Sequence, residues 1–75
     1  MATAPEIRRM TDQEIAGAIS DARQEIFNLR IQWVSGQLED YTRIRQLKKE
    51  IARLLTVQRE RELAAVYMQE ETDHA

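Results

Sequence analysis

Arg45, Lys49 and Arg53 repeat every four residues within the run Ile44 to Arg59, and Lys48 and Arg59 stand beside them. In an α-helix that spacing sets side chains one above the other, so the three cations form a ridge. Like charges so placed weaken an isolated helix by about 0.2–0.5 kcal/mol per pair. No acid stands four residues before any of the three, although Glu50 can reach Arg53 or Arg43 from the flank. A ridge of this kind suits a polyanion, and a nucleic-acid backbone supplies one. The solvated face of a charged helix accounts for the ridge about equally well.

Other chemistry is poorly served. The chain has no cysteine, which excludes disulfides, thiol nucleophiles and cysteine-based zinc sites. Its single histidine, His74, stands one residue from the end and reads as a solvated tail residue. Ser20 and Ser35 have no base near them in sequence, and no glycine-rich phosphate loop is present. The carboxylate pairs Glu39-Asp40 and Glu70-Glu71 fall where capping and solvation explain them. No enzymatic activity, metal, cofactor or small-molecule substrate is expected. No apolar run approaches the roughly 20 residues of a membrane span, and no secretory signal is seen at the start.

The formal net charge is −2, with 11 Lys and Arg against 13 Asp and Glu. The charge is unevenly placed. From Tyr41 to Arg61 there are seven bases and two acids, and from Glu62 to Ala75 four acids and no Lys or Arg. Local fields decide binding more than the total does, so the middle of the chain can meet a polyanion that the tail would repel.

The elements that position the ridge are helical. Two glycines, one proline and no β-branched run in 75 residues favour a single all-α domain. Residues 1–10 read as a short, mobile N-terminal arm containing Pro5. Thr11 and Glu14 form a T-x-x-E capping box, and Met10 and Ile15 stand where a hydrophobic staple sits. A helix then runs from about Asp12 to Val34, with Ile15, Ile19, Ala22, Ile26, Leu29 and Trp33 as a seam. Ser35 to Asp40 is the break, with Gly36 suited to the left-handed position past a helix end and Asp40 to an N-cap. A second helix begins near Tyr41 and runs into the high sixties, with Ile44, Leu47, Ile51, Leu54 and Leu55 on one face. The connection is short enough to make the two helices antiparallel neighbours, seam to seam. Residues 11–69 are thus an antiparallel two-helix hairpin, followed by a disordered acidic tail over 70–75.

Two further features stand out. Phe27, Ile31 and Val34 make a second apolar line, flanked by Arg23 and Arg30. It is either core covered by the N-terminal arm or an exposed ridge for a partner protein or RNA groove. Trp33 and Tyr41 flank the turn. They could stack on bases, but closing the end of the hairpin is the favoured reading.

The runs Phe27-Asn28-Leu29-Arg30-Ile31-Gln32, Ser35-Gly36-Gln37-Leu38-Glu39 and Arg43 to Leu54 resemble the bacterial-type family of large-ribosomal-subunit protein number twenty-nine. The opening Glu6 to Ile15 is similar to that family's start. The resemblance covers about Glu6 to Arg61, with the pieces in the family's order and spacing. It implies a non-enzymatic structural constituent of the large subunit, an rRNA-binding helical hairpin at the rim of the polypeptide exit tunnel. It also implies ribosomal protein number twenty-three as a neighbour, and chaperones or targeting factors as visitors. The compartment implied is the cytoplasm, or an organellar stroma. Carried over by position, Arg45, Lys48, Lys49 and Arg53 face phosphates, with Arg30 and Arg59 as further RNA contacts. The chain departs from the family in its net acidity, in Trp33-Val34 before the turn, and in the acidic stretch from Glu62 onward. The competing reading is a helical interaction module, in which chains pair through the same seams without binding RNA.

Overall fold

Thr11 opens the first long helix in the computed structural model, which describes residues 2–74. Its hydroxyl accepts the Glu14 backbone N–H at 3.1 Å. The Glu14 carboxylate accepts the Thr11 hydroxyl at 3.2 Å, instead of reaching back to the Thr11 N–H as a full capping box would. Three helices follow in order: α1 (Ala4–Arg8), α2 (Asp12–Val34) and α3 (Thr42–His74). The described residues are all helix and connecting turn, with α2 and α3 as the antiparallel hairpin.

The seam is the predicted one in its middle and differs at its ends. Ile15, Ile19, Ala22 and Ile26 of α2 are buried, and so are Ile44, Leu47 and Leu54 of α3. Ile51 and Leu29 are half-buried against the same core. Leu55 is 39% exposed, and Val57 is buried instead. The reason is α1. It packs on α3, and Ile7 joins Ile15, Ile19, Leu54 and Val57 in one cluster. Val57 lies on the side of α3 that α1 covers, and Leu55 lies on the side left open.

The expected mobile arm is therefore corrected over residues 4–8. Pro5 sits in the first turn of α1, where its missing N–H costs nothing and its fixed φ favours the helix. The Glu6 carboxylate accepts the Thr3 N–H at 3.4 Å. Ile7 is fully buried. The polar edge of the contact is closed by Arg61, which follows Leu47 and Leu54 at heptad spacing along α3. Its guanidinium donates to the Met10 carbonyl at 2.6 Å, the Arg8 carbonyl at 3.1 Å and Asp12 Oδ1 at 2.7 Å.

At the other end the chain turns through residues 35–41. Gly36 has φ 78°, the left-handed position predicted for it. Gln37 N–H and Leu38 N–H both donate to the Gln32 carbonyl, closing the end of α2. Asp40 stands one residue before the N-cap position, since Tyr41 supplies the first carbonyl of α3 to the Arg45 N–H. Its carboxylate accepts the Thr42 N–H at 2.9 Å and the Thr42 hydroxyl at 2.6 Å. Those two bonds hold Asp40 below the usual carboxylate range. Trp33 and Tyr41 meet edge to face with centroids 5.3 Å apart, closing the end of the hairpin.

Of the disordered tail expected over 70–75, residues 70–74 are corrected, because α3 continues to His74. No glycine or proline follows Gly36, and residues 62–71 are rich in Glu, Leu, Ala, Met and Gln, which favour helix. The side chains of residues 72–74, His74 included, and all of Met1 and Ala75 lie outside the described residues.

Candidate nucleic-acid interface

The hairpin has two flanks, and its charges are sorted between them. On one flank Arg43 grips Glu25 across the helices with two hydrogen bonds of 3.0 and 3.3 Å. On the other, Arg23 and Arg30 of α2 and Lys48 of α3 line a groove of about 370 Å3 floored by Ile26, Phe27 and Ile51. No carboxylate lines this groove. Three cations facing one another across a helix pair repel, so the arrangement costs stability that a bound anion would return.

Tyr41 closes the groove at the turn. Lys48 Nζ lies 5.6 Å from the centre of its ring and 3.4 Å from its hydroxyl. The Arg45 guanidinium lies 5.8 Å from the same ring. The hydrogen bond from Lys48 and the nearby charges of Lys48 and Arg30 lower the Tyr41 pKa, against the opposing effect of desolvation. The ring thus gathers three cations at one end of the molecule.

The six cations predicted from sequence fall into separate groups. Arg30, Lys48 and Arg45 converge on Tyr41. Lys49 and Arg53 are exposed and continue the stripe of Arg45 along α3, and Arg53 lines a shallow depression beside Ala4 and Arg8 of α1. Arg59 is ion-paired with Glu62 at 3.0 Å, so its charge is already compensated. Arg23 was legible only as a flank of the second apolar line. Its place opposite Lys48 depends on helix pairing, and the e-type positions of the two seams carry that signal.

Phe27, Ile31 and Val34 are 64%, 54% and 86% exposed. The N-terminal segment does not cover them, because α1 packs on α3. The line is an exposed ridge along the outside of α2, and with Arg30 and Ser35 it borders a shallow apolar depression.

The sequence profile of the ribosomal L29 protein matches residues 5–61, the span that contains α1, α2 and the packed part of α3. The chain belongs to the ribosomal L29 family. Among its relatives, the large ribosomal subunit protein uL29 of Geobacillus stearothermophilus is 55% identical over 62 residues, covering 83% of this chain and 94% of the relative. That of Alkaliphilus metalliredigens is 52% identical over 61 residues, covering 81% and 91%. That of Mycobacterium bovis is 48% identical over 58 residues, covering 77% and 75%. This is a family of ribosomal structural proteins and not of enzymes. Among the described residues, no helix of this member is long and apolar enough to cross a membrane.

Proposed function

We propose that the chain is a structural constituent of the large ribosomal subunit in the cytoplasm, bound to large-subunit rRNA through its cationic flank. The observation that carries this reading is the groove of Arg23, Arg30 and Lys48, with Arg45 and Tyr41 at its end and no carboxylate in its lining. Phosphates would supply the missing counter-charge, and the shape of the folded RNA would be read more than its base sequence. Lys49 and Arg53 would extend the phosphate contact along α3 from Arg45. The family resemblance supports a place at the rim of the exit tunnel, beside ribosomal protein number twenty-three and in reach of chaperones and targeting factors.

The interaction-module reading needs the seams for pairing between chains. Here Ile15, Ile19, Ala22, Ile26, Ile44, Leu47 and Leu54 are already buried within one chain, so the seams are not available for pairing between chains.

The test is binding to a large-subunit rRNA fragment over a salt series, with an unrelated RNA as control. Four groove cations on phosphates give a slope of about −3 to −4 in log affinity against log salt. The triple variants Arg23→Glu/Arg30→Glu/Lys48→Glu and Arg45→Glu/Lys49→Glu/Arg53→Glu are each expected to stay helical and fail to enter the subunit. Normal incorporation of either triple would remove its residues from the interface. Equal, weak binding to both RNAs would sink the reading.

A further inference from the structure

Beyond Arg61, α3 leaves the packed core: residues 62–71 are all exposed. The Arg61 guanidinium already reaches Asp12, the first residue of α2, so residues 62–74 overhang the hairpin. At 1.5 Å per residue the overhang is about 20 Å long. It also lies beyond the family match, which ends at residue 61.

The overhang has a distinct character. Leu63, Val66 and Tyr67 fall at i, i+3 and i+4 and share one face of the helix. They are 48%, 54% and 69% exposed. Glu70 stands one turn further along the same line, and Glu62 and Glu71 flank it. From Glu62 onward there is no Lys or Arg, and Glu62 is held by a cation, Arg59. A solvated spacer needs no apolar stripe, and an RNA contact would not be built from carboxylates. A second copy of the same segment would bring like charges together.

We infer that residues 62–71 are a docking helix for a basic protein surface, with Leu63, Val66 and Tyr67 entering an apolar groove whose rim is rich in Lys and Arg. The complementary charge selects the partner and its register, and the three apolar side chains hold it. This partner is distinct from the polyanion of the cationic flank, and the two contacts sit at opposite ends of α3. The inference stands on the overhang alone and does not require the rRNA reading.

The experiment is site-specific photo-cross-linking in cells, in the full-length chain, with a photoreactive phenylalanine in place of Tyr67. The expected result is one discrete polypeptide adduct whose partner has a net positive charge. Its yield should fall on the order of tenfold in Glu70→Lys/Glu71→Lys and again in Leu63→Asp/Val66→Asp. These positions are exposed and belong to neither core cluster, and circular dichroism of each variant checks that the hairpin remains. Adducts with RNA, with a second copy of the chain or with many proteins, or no adduct at all, would overturn the inference. So would an adduct indifferent to both variants. Co-sedimentation of the same chain with large subunits reads the ribosomal assignment separately, so either conclusion can fail alone.

Discussion

Arg61 is the side chain on which the docking of α1 depends most directly after Ile7. Replacing it with Met keeps most of the stem and removes the guanidinium. Three acceptors then lose their donor: the carbonyls of Arg8 and Met10 and one Asp12 oxygen. They are not equal. The Asp12 side chain is 87% exposed against 31% for Arg61, so water replaces that contact and the pair contributes at most about 0.2–1 kcal/mol. The carbonyls close the end of α1, and a hydrogen bond from a charged donor contributes about 1.5–3 kcal/mol before water competes for the acceptor. With that discount, Arg61→Met should cost about 2 kcal/mol and Asp12→Asn under about 0.5 kcal/mol. For a domain of this size 2 kcal/mol is a large share of the total and lowers Tm by roughly 8–15 °C. Amide exchange gives the local readout. The Ile7 N–H is bonded to the Thr3 carbonyl and the Met10 N–H to the Ile7 carbonyl, both at 3.0 Å. Both should exchange about thirtyfold faster in Arg61→Met. Two results would refute this reasoning: an Asp12→Asn cost equal to that of Arg61→Met, or unchanged exchange at Ile7 and Met10 in the Arg61 variant.

The two glycines should respond to alanine with opposite signs. Gly17 is inside α2 with nothing within 4 Å of an added Cβ, so Gly17→Ala should stabilise by about 1 kcal/mol in urea melts. Gly36 has the same open space but φ 78°, so Gly36→Ala should destabilise by about 1 kcal/mol or more. Tyr41 supplies a titration test. Its pKa is lowered chiefly by the hydrogen bond from Lys48, so in a Tyr67→Phe background the tyrosinate absorbance should appear at lower pH than for free tyrosine. The linked stability is present above the ordinary tyrosine pKa and lost as pH falls through the lowered one. Lys48→Met should move the absorbance titration upward, and an unmoved curve would disprove the cause.

How much of this was readable in the chain depends on distance along it. The cap at Thr11, the buried run Ile15 to Ile26, the left-handed Gly36 and the closing pair Trp33–Tyr41 all arise within a few turns of one another, where spacing is a sufficient guide. The fate of residues 4–8 is decided elsewhere. A five-residue helix is too short to persist by itself, and its apolar content reduces to Ile7, whose cover is Leu54 and Val57 some fifty residues on. The same long-range contact exchanges Leu55 for Val57 in the core. The tail misled for a different reason. Its polarity suggested disorder, but helix propensity belongs to the backbone as well, and Glu, Gln, Ala, Leu and Met carry it without a core. On the interface, the four-residue repeat Arg45-Lys49-Arg53 was visible at once. The groove was not, because Arg23, Arg30 and Lys48 become neighbours only when two helices are set side by side.

A net charge of −2 does not by itself argue against a polyanion as partner, because the charges are separated along the fold. The molecule is 60 Å long and 20 by 16 Å across. Salt at physiological strength screens exposed charges beyond about 8 Å. Along α3, Glu70 and Glu71 lie roughly 35–40 Å from Arg45 and Lys48, and Glu62 lies about 20 Å from Lys48. At that separation neither end feels the other, and an approaching polyanion meets only the local field. Among the acids nearer the groove, Glu25 is taken up by Arg43 on the far flank and Asp40 by the backbone and hydroxyl of Thr42. The rod therefore carries two independent electrostatic surfaces of opposite sign. Adding salt should weaken contacts at both ends.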